Sequence, residues 1–206
     1  MPLAQHPLHY QMTARLQRNI ALQGLDIVEV NNLKELLSIA QIDKDETLLA
    51  QGCIEMNQFF ILEGLLKRTV TSKQGKEMTL RIAGEYEFET CYAAWSLGTC
   101  APFSIIALKK STVAKCSIQS WKRFLDHHEA LKRNFEYLVM DNMSEIMAHI
   151  IALHLLDADG RMERFRSKHP ELLGQLPKKE LAHYLNITPE TFSRVLRHTQ
   201  HLKSDI

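Results

Sequence analysis

The sequence lacks the features of a membrane-spanning, secreted or cluster-binding chain. Its longest apolar run, residues 146–156, is interrupted by His149 and His154 and is too short to cross a bilayer. No apolar signal-peptide stretch opens the chain, so a cytoplasmic protein with no membrane partner is expected. The four cysteines, residues 53, 91, 100 and 116, form no CxxC pair and are expected to be small buried apolar residues. Sensing of oxidants by these thiols is the alternative.

Catalytic and metal-binding patterns are also missing. No histidine lies between His9 and His127, so the central part of the chain cannot supply the clustered ligands of a metalloenzyme barrel. No nucleophile elbow, P-loop or zinc pattern occurs. We therefore predict that the protein is not an enzyme, with no catalytic residues, no metal site and no cofactor.

Residues 42–120 carry the signals of β-structure. Short runs rich in β-branched and aromatic residues alternate with turn signals that include Gly52, Gly64 and Gly75. This regular spacing predicts an all-β barrel or jelly roll. A short helix capped by Asn32 is predicted before it, over residues 31–40. The predicted strands cover residues 47–49, 59–62, 66–70, 78–82, 103–108 and 112–118.

Residues 120–157 read as one long helix. Its later part carries apolar residues at spacings of 4, 3, 4 and 3, which is a heptad seam. This seam either packs on its own domain or pairs with a second copy of the chain, and the spacing alone does not decide. Asp157 to Gly160 is expected to break the helix and act as a hinge. The seam residues are Val139, Met143, Ile146, Ile150 and Leu153.

Residues 176–198 have the pattern of a helix-turn-helix. Pro177 opens a first short helical pattern, and Thr188 followed by Pro189 opens a second. Between them, Asn186 is a residue that tolerates a left-handed turn, and Ile187 can fill the corner between the helices. Two short helices around such a turn are the plan of this motif.

The second of these helices has one apolar and one polar face. Phe192, Val195 and Leu196 would face the core, which leaves Glu190 and Arg194 together on the opposite side. In a DNA major groove, Arg can bond guanine and Glu can accept from cytosine. A plain surface ion pair between these two residues is the alternative. Residues 161–206 hold nine Lys and Arg against five Asp and Glu, a local excess of +4 in a chain of net charge +1.

The order of β-barrel, long helix, break and helix-turn-helix resembles the Crp/Fnr family of bacterial transcription regulators. The resemblance rests on residues 47–52, 59–67 and 75–81 in the barrel, on 162–165 after the break, and on 181–194 in the helix-turn-helix. It implies an α+β fold with a β-roll sensor domain of the cyclic-nucleotide-binding type over residues 1–120. A dimerisation helix over 121–157 and a helix-turn-helix domain over 158–206 would follow. Residues 199–206 are too few for the β-hairpin wing of many members, so a full wing is not expected.

The resemblance also implies roles for single residues. Glu190, Ser193 and Arg194 fall on the base-reading pattern of the Fnr-like branch. It implies a homodimer that reads an inverted repeat in double-stranded DNA, with half-sites about one turn apart. RNA polymerase is a further candidate partner. Phosphate-binding or supporting roles are expected for Lys178, Lys179, Thr188, Thr191 and Arg197.

The sensor domain departs from the family pattern. Phe88-Glu89-Thr90 stands where Phe-Gly-Glu is usual, and residues 100–104 offer no Arg for a cyclic phosphate. We therefore expect no useful affinity for cyclic AMP or cyclic GMP, and the effector stays unknown. An iron–sulfur sensor needs N-terminal cysteines, and none precedes Cys53. A haem sensor has only Pro2 as an N-terminal candidate ligand. The alternative function is a signalling module that does not bind DNA and takes a small ligand or protein through the β-roll.

Overall fold

The structure is a computed structural model that describes the backbone of residues 1–204 and the side chains of residues 1–196. It divides into two compact units. Unit 1 is Met1–Glu77 with Arg81–Met143, and unit 2 is Met78–Leu80 with Ser144–Ile206. No helix within the described residues is long and apolar enough to cross a membrane.

Two antiparallel four-stranded sheets form the β-roll. The strands are β1 (Ser38–Ile42), β2 (Thr47–Leu49), β3 (Asn57–Glu63), β4 (Leu66–Thr71), β5 (Glu77–Ala83), β6 (Phe88–Glu89), β7 (Ser104–Ala107) and β8 (Ser111–Ser117). One sheet has the strand order β1-β8-β3-β6 and the other β2-β7-β4-β5. All six predicted strands are present, each within two residues of its predicted bounds, as part of an α+β fold.

Aromatic side chains fill the core of unit 1. Trp121 is fully buried, with its ring edge-on to Phe60 at 5.2 Å and to Phe135 at 5.3 Å. Gly64 allows a close strand approach, because its φ is +113° and a Cβ there would lie 2.1 Å from the Ser111 hydroxyl oxygen. The sheet therefore requires glycine at this predicted turn.

Eight α-helices are described. The helices are α1 (His9–Gln17), α2 (Ile27–Leu36), α3 (Tyr92–Ser96), α4 (Ile118–Asp126), α5 (Glu129–Leu155), α6 (Ala158–Lys168), α7 (Lys178–Tyr184) and α8 (Pro189–Ser204). Short 3₁₀ turns occupy Leu3–Gln5, Ile20–Leu22 and Pro170–Leu172. The long helix α5 belongs to unit 1 as far as Met143 and to unit 2 from Ser144.

The predictions of two helices were wrong in their bounds. The helix predicted over residues 31–40 is α2, which begins at Ile27 and not near Asn32, because Asp26 and Glu29 form a capping box at its start. The long helical pattern from Ser120 is two helices, with a break at His127 and His128. At this break the backbone N–H groups of His127 and His128 donate to the carbonyls of Phe124 and Leu125, so α4 ends there.

The expected hinge is much shorter than the sequence suggests. Helix α5 ends at Leu155, and α6 already begins at Ala158. The Asp157 carboxylate caps α6 by accepting a hydrogen bond from the Gly160 N–H at 2.8 Å. Residues 158–160 are therefore the first turn of a helix and not a linker.

Candidate nucleic-acid interface

The turn between α7 and α8 has the geometry that the sequence predicts. Asn186 lies in the left-handed region with a φ of +51°. The Asn186 N–H donates to the His183 carbonyl at 3.1 Å, and the Ile187 N–H donates to the Ala182 carbonyl at 3.0 Å. These bonds satisfy the last carbonyls of α7 and turn the chain sharply into α8.

Thr188 starts helix α8. Its hydroxyl oxygen accepts a hydrogen bond from the Thr191 backbone N–H at 3.2 Å, as an N-cap residue does. On this helix the side chains of Phe192 and Val195 are buried in unit 2, and that of Leu196 is half-buried. The apolar face predicted for α8 therefore fixes which side of the helix stays in solvent.

The three predicted base-reading residues share the solvent side of α8. Glu190, Ser193 and Arg194 are all exposed. Hydrogen bonds from its own backbone N–H and from Thr188 hold the pKa of Glu190 below its ordinary value, so the side chain is a carboxylate near neutral pH. The Ser193 hydroxyl donates to the Pro189 carbonyl at 2.9 Å.

The predicted supporting residues surround this surface in part. Lys178 and Lys179 are exposed in the first turn of α7, and Thr188 is exposed at the start of α8. Thr191 is half-buried. The side chain of Arg197 lies outside the described residues.

Arg161 is a residue of this unit that the sequence did not single out. Its Nη1 donates to the carbonyls of Leu185 and Asn186 at 3.1 and 3.2 Å, and its Nε donates to the Leu156 carbonyl at 2.9 Å. One guanidinium thus donates hydrogen bonds both to a carbonyl at the end of α5 and to two carbonyls in the turn of the helix-turn-helix. No local pattern marks this role, because its acceptors are backbone atoms 24 and 25 residues further along the chain.

The C-terminal half of α5 packs against the same helices. His149 is buried, and its ring stacks on Tyr184 of α7 at 4.0 Å with an interplanar angle of 10°. Burial lowers the pKa of His149 to about 4, with the positive charges of Arg164 and His169 acting in the same direction. A neutral ring is therefore the stable form at neutral pH.

Another stripe on α5 is apolar and exposed. Met140 and Met147 are 62% and 60% exposed, although methionine is usually buried. Of the predicted seam residues, Val139 and Leu153 are buried within the chain itself, whereas Met143 is exposed and Ile146 and Ile150 are half-buried. The exposed stripe comprises Tyr137, Met140, Met143, Met147, Ile151 and Leu155.

The interior of the β-roll holds a buried ion cluster. One carboxylate oxygen of Glu89 accepts from Nε and Nη2 of Arg68 at 3.0 and 2.6 Å, and the other accepts from Arg81. Burial alone raises the pKa of Glu89, but the charges and hydrogen bonds of the two arginines together hold it below its ordinary value. The Arg68 guanidinium also lies 4.2 Å from the centre of the Phe103 ring.

Comparison with known proteins finds relatives both in sequence and in structure. No protein-family model matches the chain. The nitrogen fixation regulation protein FixK of Bradyrhizobium diazoefficiens is 21% identical over 197 residues, which cover 90% of this chain and 81% of FixK. The structure of FixK2 from Bradyrhizobium japonicum matches with a TM-score of 0.68 at 16% identity, over 80% of this chain and 86% of FixK2.

A mutant of CooA from Carboxydothermus hydrogenoformans matches with a TM-score of 0.70 at 17% identity, over 90% of this chain and 88% of CooA. These relatives are regulators of the Crp/Fnr type. The resemblance that the sequence predicts is therefore confirmed: the chain is similar to Crp/Fnr transcription regulators and has their fold, with a cyclic-nucleotide-binding-like domain, a long helix and a C-terminal helix-turn-helix.

Proposed function

We propose that the protein is a homodimeric, cytoplasmic transcription regulator that binds specific DNA sequences through helix α8. One observation carries this proposal. Glu190, Ser193 and Arg194 are exposed together on a helix whose other face is fixed in the core by Phe192 and Val195. A helix that is anchored in this way can enter a major groove without rearranging its own packing.

The side chains of this face suit base recognition. Arg194 is free to make paired hydrogen bonds to O6 and N7 of a guanine, and the Glu190 carboxylate can accept from N4 of a cytosine. The two residues are four apart on α8, so they reach neighbouring base pairs. Ser193 lies beside them on the same exposed face.

Contacts to the DNA backbone would come from the residues around α8. The exposed ammonium groups of Lys178 and Lys179 would contact phosphates, with Thr188 at the start of α8 as a supporting residue. Thr191 and Arg197 are the remaining candidates. The local excess of positive charge in residues 161–206 favours this contact in a chain that is nearly neutral overall.

Dimer formation is assigned to the exposed stripe of α5. A second copy of the chain that places the same stripe against Met140, Met147 and Ile151 would cover apolar side chains that water now surrounds. Ile146 and Ile150 of the predicted seam would border this contact. The two symmetry-related copies of helix α8 would then contact the two halves of an inverted repeat. RNA polymerase stays a candidate partner through the family resemblance.

The β-roll is proposed to bind a ligand other than a cyclic nucleotide, or none. An unpaired Glu89 carboxylate would repel a phosphate, but Arg68 and Arg81 already neutralise its charge. The same contacts occupy both arginines on a protein carboxylate. Binding of cyclic AMP would therefore have to break a buried ion cluster, which is costly.

The test is a mobility-shift titration with a library of inverted repeats against random duplexes of equal length, at several salt concentrations. Sequence-specific binding that is at least about a thousand times tighter than random binding is expected. Binding that is equal for all duplexes, or absent at low salt, would contradict the proposal and favour the signalling module. Calorimetry with cyclic AMP and cyclic GMP tests the β-roll, where micromolar binding of either would contradict this part.

A further inference from the structure

Two of the four cysteines do not fit the expected role of small buried residues. Cys91 and Cys116 are buried, and burial raises the pKa of their thiols to about 11 and about 12. Cys53 is only half-buried, and Cys100 is exposed. Both lie in loops of unit 1, Cys53 in the turn after β2 and Cys100 in the segment before β7.

Backbone hydrogen bonds hold these two loops side by side. The Gly52 N–H donates to the Ala101 carbonyl at 2.7 Å, and the Ala101 N–H donates to the Cys53 carbonyl at 2.8 Å. With standard bond lengths, the second bond keeps the Cα atoms of Cys53 and Cys100 within about 7.6 Å of each other. A disulfide bond needs a Cα separation of about 4.4–6.8 Å, which a small movement of two surface loops provides.

Further contacts keep the two loops together. Ala101 is buried between the loops and anchors the segment that carries Cys100. The Gln51 N–H also donates to the Ser104 hydroxyl at 2.9 Å, which ties the same two segments on the other side. The Cys53 thiol donates to the Glu55 carbonyl at 3.3 Å, so it must rotate to reach Cys100.

We propose that Cys53 and Cys100 form a reversible disulfide bond when a peroxide reaches this surface of the β-roll. The Cys100 thiolate attacks one peroxide oxygen, the O–O bond breaks, and a sulfenic acid and water form. The Cys53 sulfur then attacks the sulfenic sulfur, and its S–O bond breaks to release a second water. The two thiols lose two electrons and two protons, and hydrogen peroxide takes up both to become two waters.

The disulfide would link two loops next to the buried ion cluster. The segment after Cys100 leads directly to Phe103, whose ring lies over the Arg68 guanidinium. A bond at Cys100 therefore restrains a neighbour of the Arg68–Glu89 pair. Oxidation of the surface thiols would in this way restrain side chains in the interior of the β-roll.

Cys91 is the competing partner for Cys100. The two are close enough for Cys100 to contribute to the raised pKa of the Cys91 thiol. Cys91 is buried, however, and a thiol with a pKa near 11 is almost entirely protonated at neutral pH, so it reacts slowly.

The experiment is disulfide mapping of the full chain after treatment with hydrogen peroxide and blocking of the remaining thiols. Trypsin leaves Cys53 on residues 45–67 but leaves Cys91 and Cys100 together on residues 82–109. A second digestion with chymotrypsin, which cuts after Tyr92 and Trp95, separates these two cysteines. The expected product joins the fragment with Cys53 to the fragment with Cys100, lacks two hydrogen atoms, and returns to the free peptides on reduction.

Single variants sharpen the assignment. Cys53→Ser and Cys100→Ser should slow the paired loss of thiols at least about tenfold, whereas Cys91→Ala should keep the cross-link. If Cys91→Ala does not fold, the map of the wild-type chain decides alone. A link between Cys91 and Cys100, a link between two chains, or oxygen added to Cys100 without any link would overturn the proposal. None of these results depends on DNA binding.

Discussion

The Arg161 guanidinium lies 3.2 Å from the carbonyl oxygen of Asn186, the residue whose left-handed conformation turns α7 into α8. Arg161→Ala removes this bond and those to Leu185 and Leu156. We expect the free energy of unfolding to fall by about 1.5–3 kcal/mol, since these are hydrogen bonds from a charged donor. Urea denaturation measures it. Arg166→Ala on the same helix is the control, and an equal loss in both variants would remove the special role of Arg161.

Arg194→Ala tests base reading. The affinity for the specific site should fall by about 1–3 kcal/mol, and the preference for one guanine should relax. The comparison variant Lys178→Ala should weaken specific and random binding alike and reduce the slope of log affinity against log salt by about one. A mobility-shift titration with single-base changes in the site separates the two. If Arg194→Ala behaves like Lys178→Ala, Arg194 contacts phosphate and not a base.

The exposed stripe of α5 predicts the oligomeric state. Met147→Lys puts a charge twice into a symmetric helix pair, so dimerisation should weaken at least about tenfold, which is about 1.4 kcal/mol. Sedimentation equilibrium measures this change. Val28→Lys replaces an equally exposed apolar residue on α2 and should leave the dimer unchanged. A dimer that survives Met147→Lys at full strength would place the interface elsewhere.

His149 gives unit 2 a defined dependence on pH. Since burial lowers its pKa from 6.5 to about 4, the folded state binds fewer protons than the unfolded state between these values. Stability therefore rises with pH through this window and falls by roughly 3 kcal/mol as the pH drops from 6.5 to 4. The facing charges are Arg164 and His169.

His149→Phe keeps a ring against Tyr184 but cannot titrate, so the pH slope of this window should flatten. Denaturant unfolding at half-unit pH steps, followed by helical circular dichroism, measures it. His154→Phe, at an exposed position of the same helix, is the matched control. A slope that persists in His149→Phe would assign it to another group.

Glu89→Gln removes the buried carboxylate that Arg68 and Arg81 share, while Arg81 keeps its ion pair with Glu87. The free energy of unfolding should fall by about 3–5 kcal/mol at neutral pH. Because the pKa of Glu89 is lowered on folding, its contribution is present above its ordinary value of 4.5 and is lost as the pH falls below it. Glu85→Gln, exposed in the neighbouring turn, is the control. A small and equal effect of both changes would show that the cluster contributes little.

The sequence predicted those parts of the fold whose signals are local. Strand periodicity located β2 to β5, β7 and β8, and the residues Asn186 and Thr188 marked the turn and cap of the helix-turn-helix. Strand β1 was missed because its residues continue a helix-like pattern, and only pairing with β8, more than 70 residues later, makes them extended.

In the candidate site, too, local features were predictable from the sequence and long-range contacts were not. The exposure of Glu190 and Arg194 followed from the period of α8, whereas Arg161 could not be found, because its acceptors are distant carbonyls. The predicted heptad seam of α5 differs from the exposed apolar stripe for a related reason. Val139 and Leu153 fit the heptad spacing, but folding of the chain itself already covers them. Spacing identifies apolar positions and does not tell which surface covers each one.

Both tryptophans of the chain, Trp95 and the buried Trp121, belong to unit 1. Fluorescence that is excited at the red edge of the protein absorption spectrum therefore comes from unit 1 alone. Unit 2 contributes to the far-ultraviolet signal of helices but has no indole of its own. Comparing emission with ellipticity during one melt would thus show, without any attached dye, whether the two units unfold together or in sequence.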